Sequence, residues 1–216
     1  MQDSIVQRLS VAKGIIALST YDVVHPSFLK NILPEKLHSF QRLSNPYIVF
    51  KVQRYVRKKL GIAPLTLQLF NHPYFVFLTL DFSAFEWLVK VLGALHVIRD
   101  VKQAVTCDEK SKLIQFLSPD TYDFVLRQGD LFKPFLPAIN VPQQRHELTE
   151  NMRQIGHFYM EYLWCQQPEI LRQYFVMKMA SDLSWDFEHV VEPLAQQQLF
   201  TLCNRLLTKR SKEGVC

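Results

Sequence analysis

The stretch Ser83-Ala-Phe-Glu-Trp87-Leu-Val-Lys-Val-Leu-Gly-Ala-Leu-His-Val-Ile98 decides the fold class. Leu88, Leu92 and Leu95 fall in one apolar row. Trp87, Val91, Ala94, Ile98, Val101 and Val105 fall in another, at steps of three and four. Glu86, Lys90 and Asp100 leave only a narrow polar strip. A helix this apolar must be covered on most of its sides, so it reads as the central helix of a helical core. Ser83 and Glu86 have capping-box spacing, the hydroxyl accepting from the amide three residues on and the carboxylate reaching back. That spacing predicts the helix start.

Downstream, Asp108 is positioned to cap a helix over 108–117, and Ser118-Pro119 opens another that Gly129 closes. Pro134, Pro137 and Pro142 forbid a continuous helix over 130–145. That segment is the expected lobe boundary or an exposed interaction loop. Leu131, Phe132, Phe135 and Leu136 are bulky enough to require partial cover. A helix follows over 147–166, with Met152, Ile155, Tyr159 and Tyr162 in line. Another starts at Pro168 and Glu169, and an amphipathic one spans 193–207 before a frayed tail at 209–212.

Upstream, 4–19 reads as an amphipathic helix weakened by Gly14, 34–43 as a short helix, and Pro26 as a helix start. Asn45-Pro46 begins a longer helix that Gly61 ends, with Ile48, Val52, Tyr55 and Val56 as its buried row. Lys51, Arg54, Arg57, Lys58 and Lys59 crowd its solvent side and last turn, where cations suit the helix dipole. Over 64–81, Leu65-Thr-Leu-Gln-Leu alternates and Tyr74-Phe-Val-Phe-Leu-Thr-Leu is rich in aromatic and β-branched residues. Extended segments pairing as one small hairpin are expected there. The expected fold is mainly α: an irregular multi-helix bundle with little or no sheet. It forms one domain over 1–216, or two lobes meeting near 130–145.

With 216 residues, 48% hydrophobic, and 16 Phe, the chain can build a core without disulfide or metal. A net charge of +5 permits an anionic partner without requiring one. Cys107, Cys165, Cys203 and Cys216 show neither Cys-x-x-Cys nor histidine at ligand spacing, which suits reduced thiols in the cytosol and no metal. Met1-Gln-Asp lacks the basic start of a secretory signal. Asp81, Glu86 and Lys90 interrupt the most membrane-like window, 74–98, so no span is expected. There is no phosphate-binding glycine loop, no Gly-x-Ser-x-Gly and no His-Glu-x-x-His. His96 on an apolar helix suits a hydrogen-bonded core position, and Asp108 with Glu109 suits a cap and dipole pair. Neither catalysis nor a cofactor is expected.

The segment 88–95, with its Leu92-Gly93 pair, resembles the central helix of one family, the accessory sorting-platform proteins of bacterial type III secretion injectisomes (SctK, also called YscK or PscK). The segment 112–126 is similar to that family's next helices. His25-Pro26-Ser27-Phe28-Leu29, ending at Pro34, is similar to its His-Pro-Ser-Trp-Leu-Pro motif, with Phe28 in the tryptophan's place and Lys30 in a proline's. The run from Gly156 through Pro168 to Met179 resembles a third block, where Tyr174 and Ala180 depart from an arginine and a proline. The segment 193–207 resembles the C-terminal helix.

The resemblance implies a cytosolic, non-catalytic adaptor, peripheral at the cytoplasmic face of the bacterial inner membrane. It would bridge the forkhead-associated-like cytoplasmic domain of the inner-membrane ring protein (SctD) and the pod protein (SctQ), and connect indirectly to the stator and ATPase of the export apparatus. Candidate partner contacts are His25, Pro26, Phe28, Arg54, Arg57, Lys58, Lys59, Phe132 and Phe135. The alternative is a basic helical protein that binds nucleic acid or regulates. It is motivated by the cations over 51–59, although no helix-turn-helix spacing accompanies them.

Overall fold

A computed structural model describes residues 26–33, 51, 54–56, 58–63, 69, 71–104, 106–141, 147–179, 185, 187–188 and 191–213. Helix accounts for 78% of the interpretable residues and none of these lies in a strand, so the mainly α class stands. The elements are α1 (Pro26–Ile32), α2 (Phe75–Leu78), α3 (Phe82–His96), α4 (Ile98–Gln103), α5 (Cys107–Leu117), α6 (Pro119–Phe132), a 3-10 turn (Lys133–Phe135), α7 (Leu148–Trp164), α8 (Glu169–Lys178) and α9 (Pro193–Glu213). The chain divides into two compact units: Met1–Phe82 with Gln167–Trp185, and Ser83–Gln166 with Asp186–Cys216. The segment 130–145 lies within the second unit. The helices expected over 4–19 and 34–43 fall outside the described residues, as do Val105 and Cys216.

In the second unit, Leu88, Leu92, Leu95 and Ile98 are at most 1% exposed, so α3 and the start of α4 do form the core. Each such side chain contributes about 1.5–3 kcal/mol by leaving water. Two glycines explain how α7 comes so close. A Cβ at Gly93 would collide with the Met152 carbonyl of α7, and one at Gly156 would collide with the Val89 carbonyl of α3. The two helices therefore touch backbone to backbone at reciprocal positions. Met152, Ile155, Tyr159 and Tyr162 line the buried face of α7.

Several helix ends differ from the sequence expectation. Helix α3 begins at Phe82, so Ser83 lies inside it rather than capping it, and its hydroxyl meets Arg210 Nη2 at 3.0 Å. The capping box is at Thr106 and Glu109 instead. Thr106 Oγ1 accepts from the Glu109 amide, and the Glu109 carboxylate accepts from the Thr106 amide, both at 3.2 Å. Asp108 is in the first turn of α5 and is not its cap. Ser118 and Pro119 open α6 as expected, with Ser118 at φ 77°, a strained conformation for a residue with a side chain. Gly129 does not close α6. It packs inside the helix against Ile98, and α6 continues to Phe132. Helix α9 continues through Lys209 and Arg210 to Glu213, so no frayed tail begins there.

In the first unit, of the extended segments expected over 64–81, residues 64–68 lie outside the described residues, and the second segment, 74–80, instead contains α2, whose Phe75, Phe77 and Leu78 are buried. Strand propensity reports how well side chains suit a half-buried pleat. Here a contact with α8, which buries Leu171, Tyr174, Phe175 and Met177, decides the backbone. Tyr174 donates to the Ala63 carbonyl at 3.2 Å, and Lys178, 2% exposed, donates to the Leu80 carbonyl with its ammonium over the Phe82 ring. Gly61, at φ 67°, ends the preceding helical residues as expected. Val56 is buried, but Tyr55 is 44% exposed beneath Lys59 and does not belong to the buried row.

Candidate partner-binding surface

Helix α9 is tied at its start to the end of α7. The Glu192 amide donates to Tyr162 Oη at 2.9 Å, and Gln196 Nε2 donates to the Tyr162 and Leu163 carbonyls at 3.3 and 3.0 Å. The two Gln196 bonds satisfy carbonyls that the last turn of a helix leaves unpaired. With that anchor set, Leu199, Leu202, Cys203 and Leu206 turn into the core. Burial pushes the Cys203 thiol well above its ordinary range, so it behaves as a small apolar side chain.

The opposite face of α9 stays open, with Leu194, Gln197, Gln198, Thr201 and Arg205 exposed. The 3-10 turn brings Phe135 beside it. The Arg205 guanidinium lies 4.6 Å from the centre of the Phe135 ring, a cation–π distance. Two hollows follow this face. One of about 340 Å³ is lined by Phe135, Leu194, Leu202 and Arg205, among others. The other, about 480 Å³, is lined by Phe132, Phe200, Asn204, Arg205 and Lys209, among others. Phe132 is half-buried against Phe124, whose ring in turn packs tilted against Trp87. The Arg210 guanidinium also lies over the Trp87 ring, 5.6 Å from its centre. The helix carries no Asp or Glu from Pro193 to Lys212 but holds Arg205, Lys209, Arg210 and Lys212.

Of the sequence-derived contacts, Phe132 and Phe135 meet on this surface. Pro26 and Phe28 are in α1, with Phe28 half-buried, while Arg54, Lys58 and Lys59 are exposed. All five belong to the first unit. His25 and Arg57 lie outside the described residues. Leu194 and Arg205 belong to no motif in the sequence, although the acid-free run of α9 is a readable signal.

His96 Nδ1 lies 2.9 Å from Tyr159 Oη, and the Lys133 ammonium donates to the His96 carbonyl at 3.2 Å. Burial, and then the nearby Lys133 charge, holds the His96 imidazole below its ordinary pKa. Burial also raises the Tyr159 phenol. The pair is a hydrogen bond at the margin of the core. Among the described residues, no three His, Cys, Asp or Glu side chains are grouped to hold a metal, and no helix is long and apolar enough to cross a membrane. No protein-family model, curated protein or solved structure matches the chain.

Proposed function

We propose that this chain is a non-catalytic cytoplasmic adaptor of a type III secretion sorting platform. In this reading it bridges the cytoplasmic domain of the inner-membrane ring protein and the pod protein. No family assignment underlies it. The support is the order of resembling motifs along the chain, together with one structural observation. Gly93 and Gly156, the glycines of the first and third resembling blocks, are the two points at which α3 and α7 touch backbone to backbone. Two chemically different surfaces suit a bridge. Arg54, Lys58 and Lys59 expose positive charge on the first unit, and Phe135 and Leu194 expose an aromatic and aliphatic face beside the Arg205 cation on the second.

Purified full-length chain tested by calorimetry against each partner examines this directly. Charge reversal of Arg54 and Lys58 is expected to weaken one partner in a salt-sensitive manner. Phe135→Ser is expected to weaken the other, with circular dichroism unchanged in both variants. Binding of neither partner at micromolar concentration would defeat the bridge. Retention on DNA that falls steeply with salt would favour the basic nucleic-acid reading instead.

A further inference from the structure

We infer that the open face of α9 is a docking groove for an acidic amphipathic helix of a partner protein. This deepens the adaptor reading and rests on it for the existence of a protein partner. The geometry comes from spacing. Leu194, Gln198, Thr201, Arg205 and Thr208 recur at steps of four, three, four and three, and all are exposed. Such a seam stays on one side of a helix and matches the repeat of a second helix laid along it. From Leu194 to Thr208 it extends about 21 Å, roughly four turns.

The seam itself is largely polar, so the apolar part of the contact must come from its flanks. Phe135 and Leu194, 48% and 61% exposed, border the first hollow, and Phe132 and Phe200 border the second. Each hollow can receive an apolar side chain projecting from a helix, the usual mode of helix-in-groove recognition.

Charge selects the kind of helix. Arg205 lies between the hollows and lines both, and Lys209 lines the second. Among the described residues, no carboxylate forms an ion pair with Arg205, whose guanidinium lies over the Phe135 ring. The charged residues within 193–212 are all basic and fall from Arg205 onward, so an incoming acidic helix is attracted to the C-terminal half of the seam. The cation–π contact with Phe135 restrains the guanidinium before a ligand arrives, which lowers the ordering cost on binding.

The test uses full-length chain and two fluorescent helix-stapled peptides. Both carry leucines at alternating steps of three and four. In one the polar positions are Glu and Gln, and in the other Lys and Gln. The Glu peptide should bind at least roughly tenfold more tightly, more weakly as salt rises, and with slowed hydrogen exchange in α9. The double variant Arg205→Glu with Lys209→Glu should invert the preference while circular dichroism stays unchanged. Phe135→Ser should weaken both peptides, which separates the apolar contribution from the charge. Equal affinity for the two peptides, no binding of either, or protection confined to other helices overturns the inference. Self-association lost in Leu194→Ser, with no peptide preference, would assign the face to a second copy and also overturn it. Loss here with ring-protein and pod-protein capture intact would move their contacts off α9. Success here with failed capture would remove those partners and leave the groove.

Discussion

At the scale of single residues, the core depends on side chains that leave no room for change. Leu92 is fully buried in α3, and truncation to Ala should cost about 2–5 kcal/mol through lost transfer energy and the residual cavity. Urea denaturation should show a lower midpoint with a similar slope. Gly93→Ala offers a sharper check. In an exposed helix interior this change gains about 1 kcal/mol. Against the Met152 carbonyl it should destabilise instead, by about 1–3 kcal/mol or more. A gain in midpoint would show that α3 and α7 do not approach there.

His96 contributes a pH dependence whose sign follows from its environment. Its folded pKa lies below the ordinary 6.5, chiefly through burial. Below that ordinary value the unfolded chain takes up the proton more readily, so the stability associated with neutral His96 falls as pH drops. The stability difference between wild type and His96→Gln should therefore be larger at neutral pH than in mild acid. Denaturation at both pH values measures it. A difference that grows in acid would contradict the buried, neutral imidazole.

At the scale of elements, helix ends are set by single hydrogen bonds, and the competing placements are separable. Thr106→Ala removes a two-way capping box and should cost about 1 kcal/mol. Ser83→Ala, inside α3 and bonded to Arg210, should cost less. The reverse order in thermal melts would restore the box to Ser83. The same contrast shows how much sequence reveals. The periodicity of 87–98 was strong enough to mark the core, and Ser118-Pro119 carries its own start signal. Partners distant in sequence decided the rest. Tyr74-Phe-Val-Phe-Leu reads as strand until α8 covers it as a helix. Gly129 reads as a terminator until Ile98 is seen to occupy its side of α6. Lys209 and Arg210 read as a solvated tail, yet Arg210 reaches Trp87 and Ser83 across 123 and 127 residues of chain. Of the candidate surface, Phe132 and Phe135 were visible because bulky aromatics stood out in a proline-rich run. Arg205 was not, because its role depends on the ring beneath it.

At the scale of the whole molecule, each compact unit exposes its own surface, cationic on the first and aromatic, aliphatic and cationic on the second. Within the second unit, the α3–α7 contact and the bonds between α7 and α9 hold these helices together. Substitutions on the open face of α9 should therefore alter association without altering the fold. A bridge also requires that occupying one surface leave the other available. The measurement that tests this most directly is sedimentation of the full-length chain mixed with the ring-protein cytoplasmic domain and the pod protein, singly and together. The account predicts two binary complexes and one ternary complex at micromolar concentrations. Phe135→Ser should remove one partner from the ternary species and leave the other bound. Absence of both binary complexes, or competition of the two partners for a single place on the chain, would contradict it.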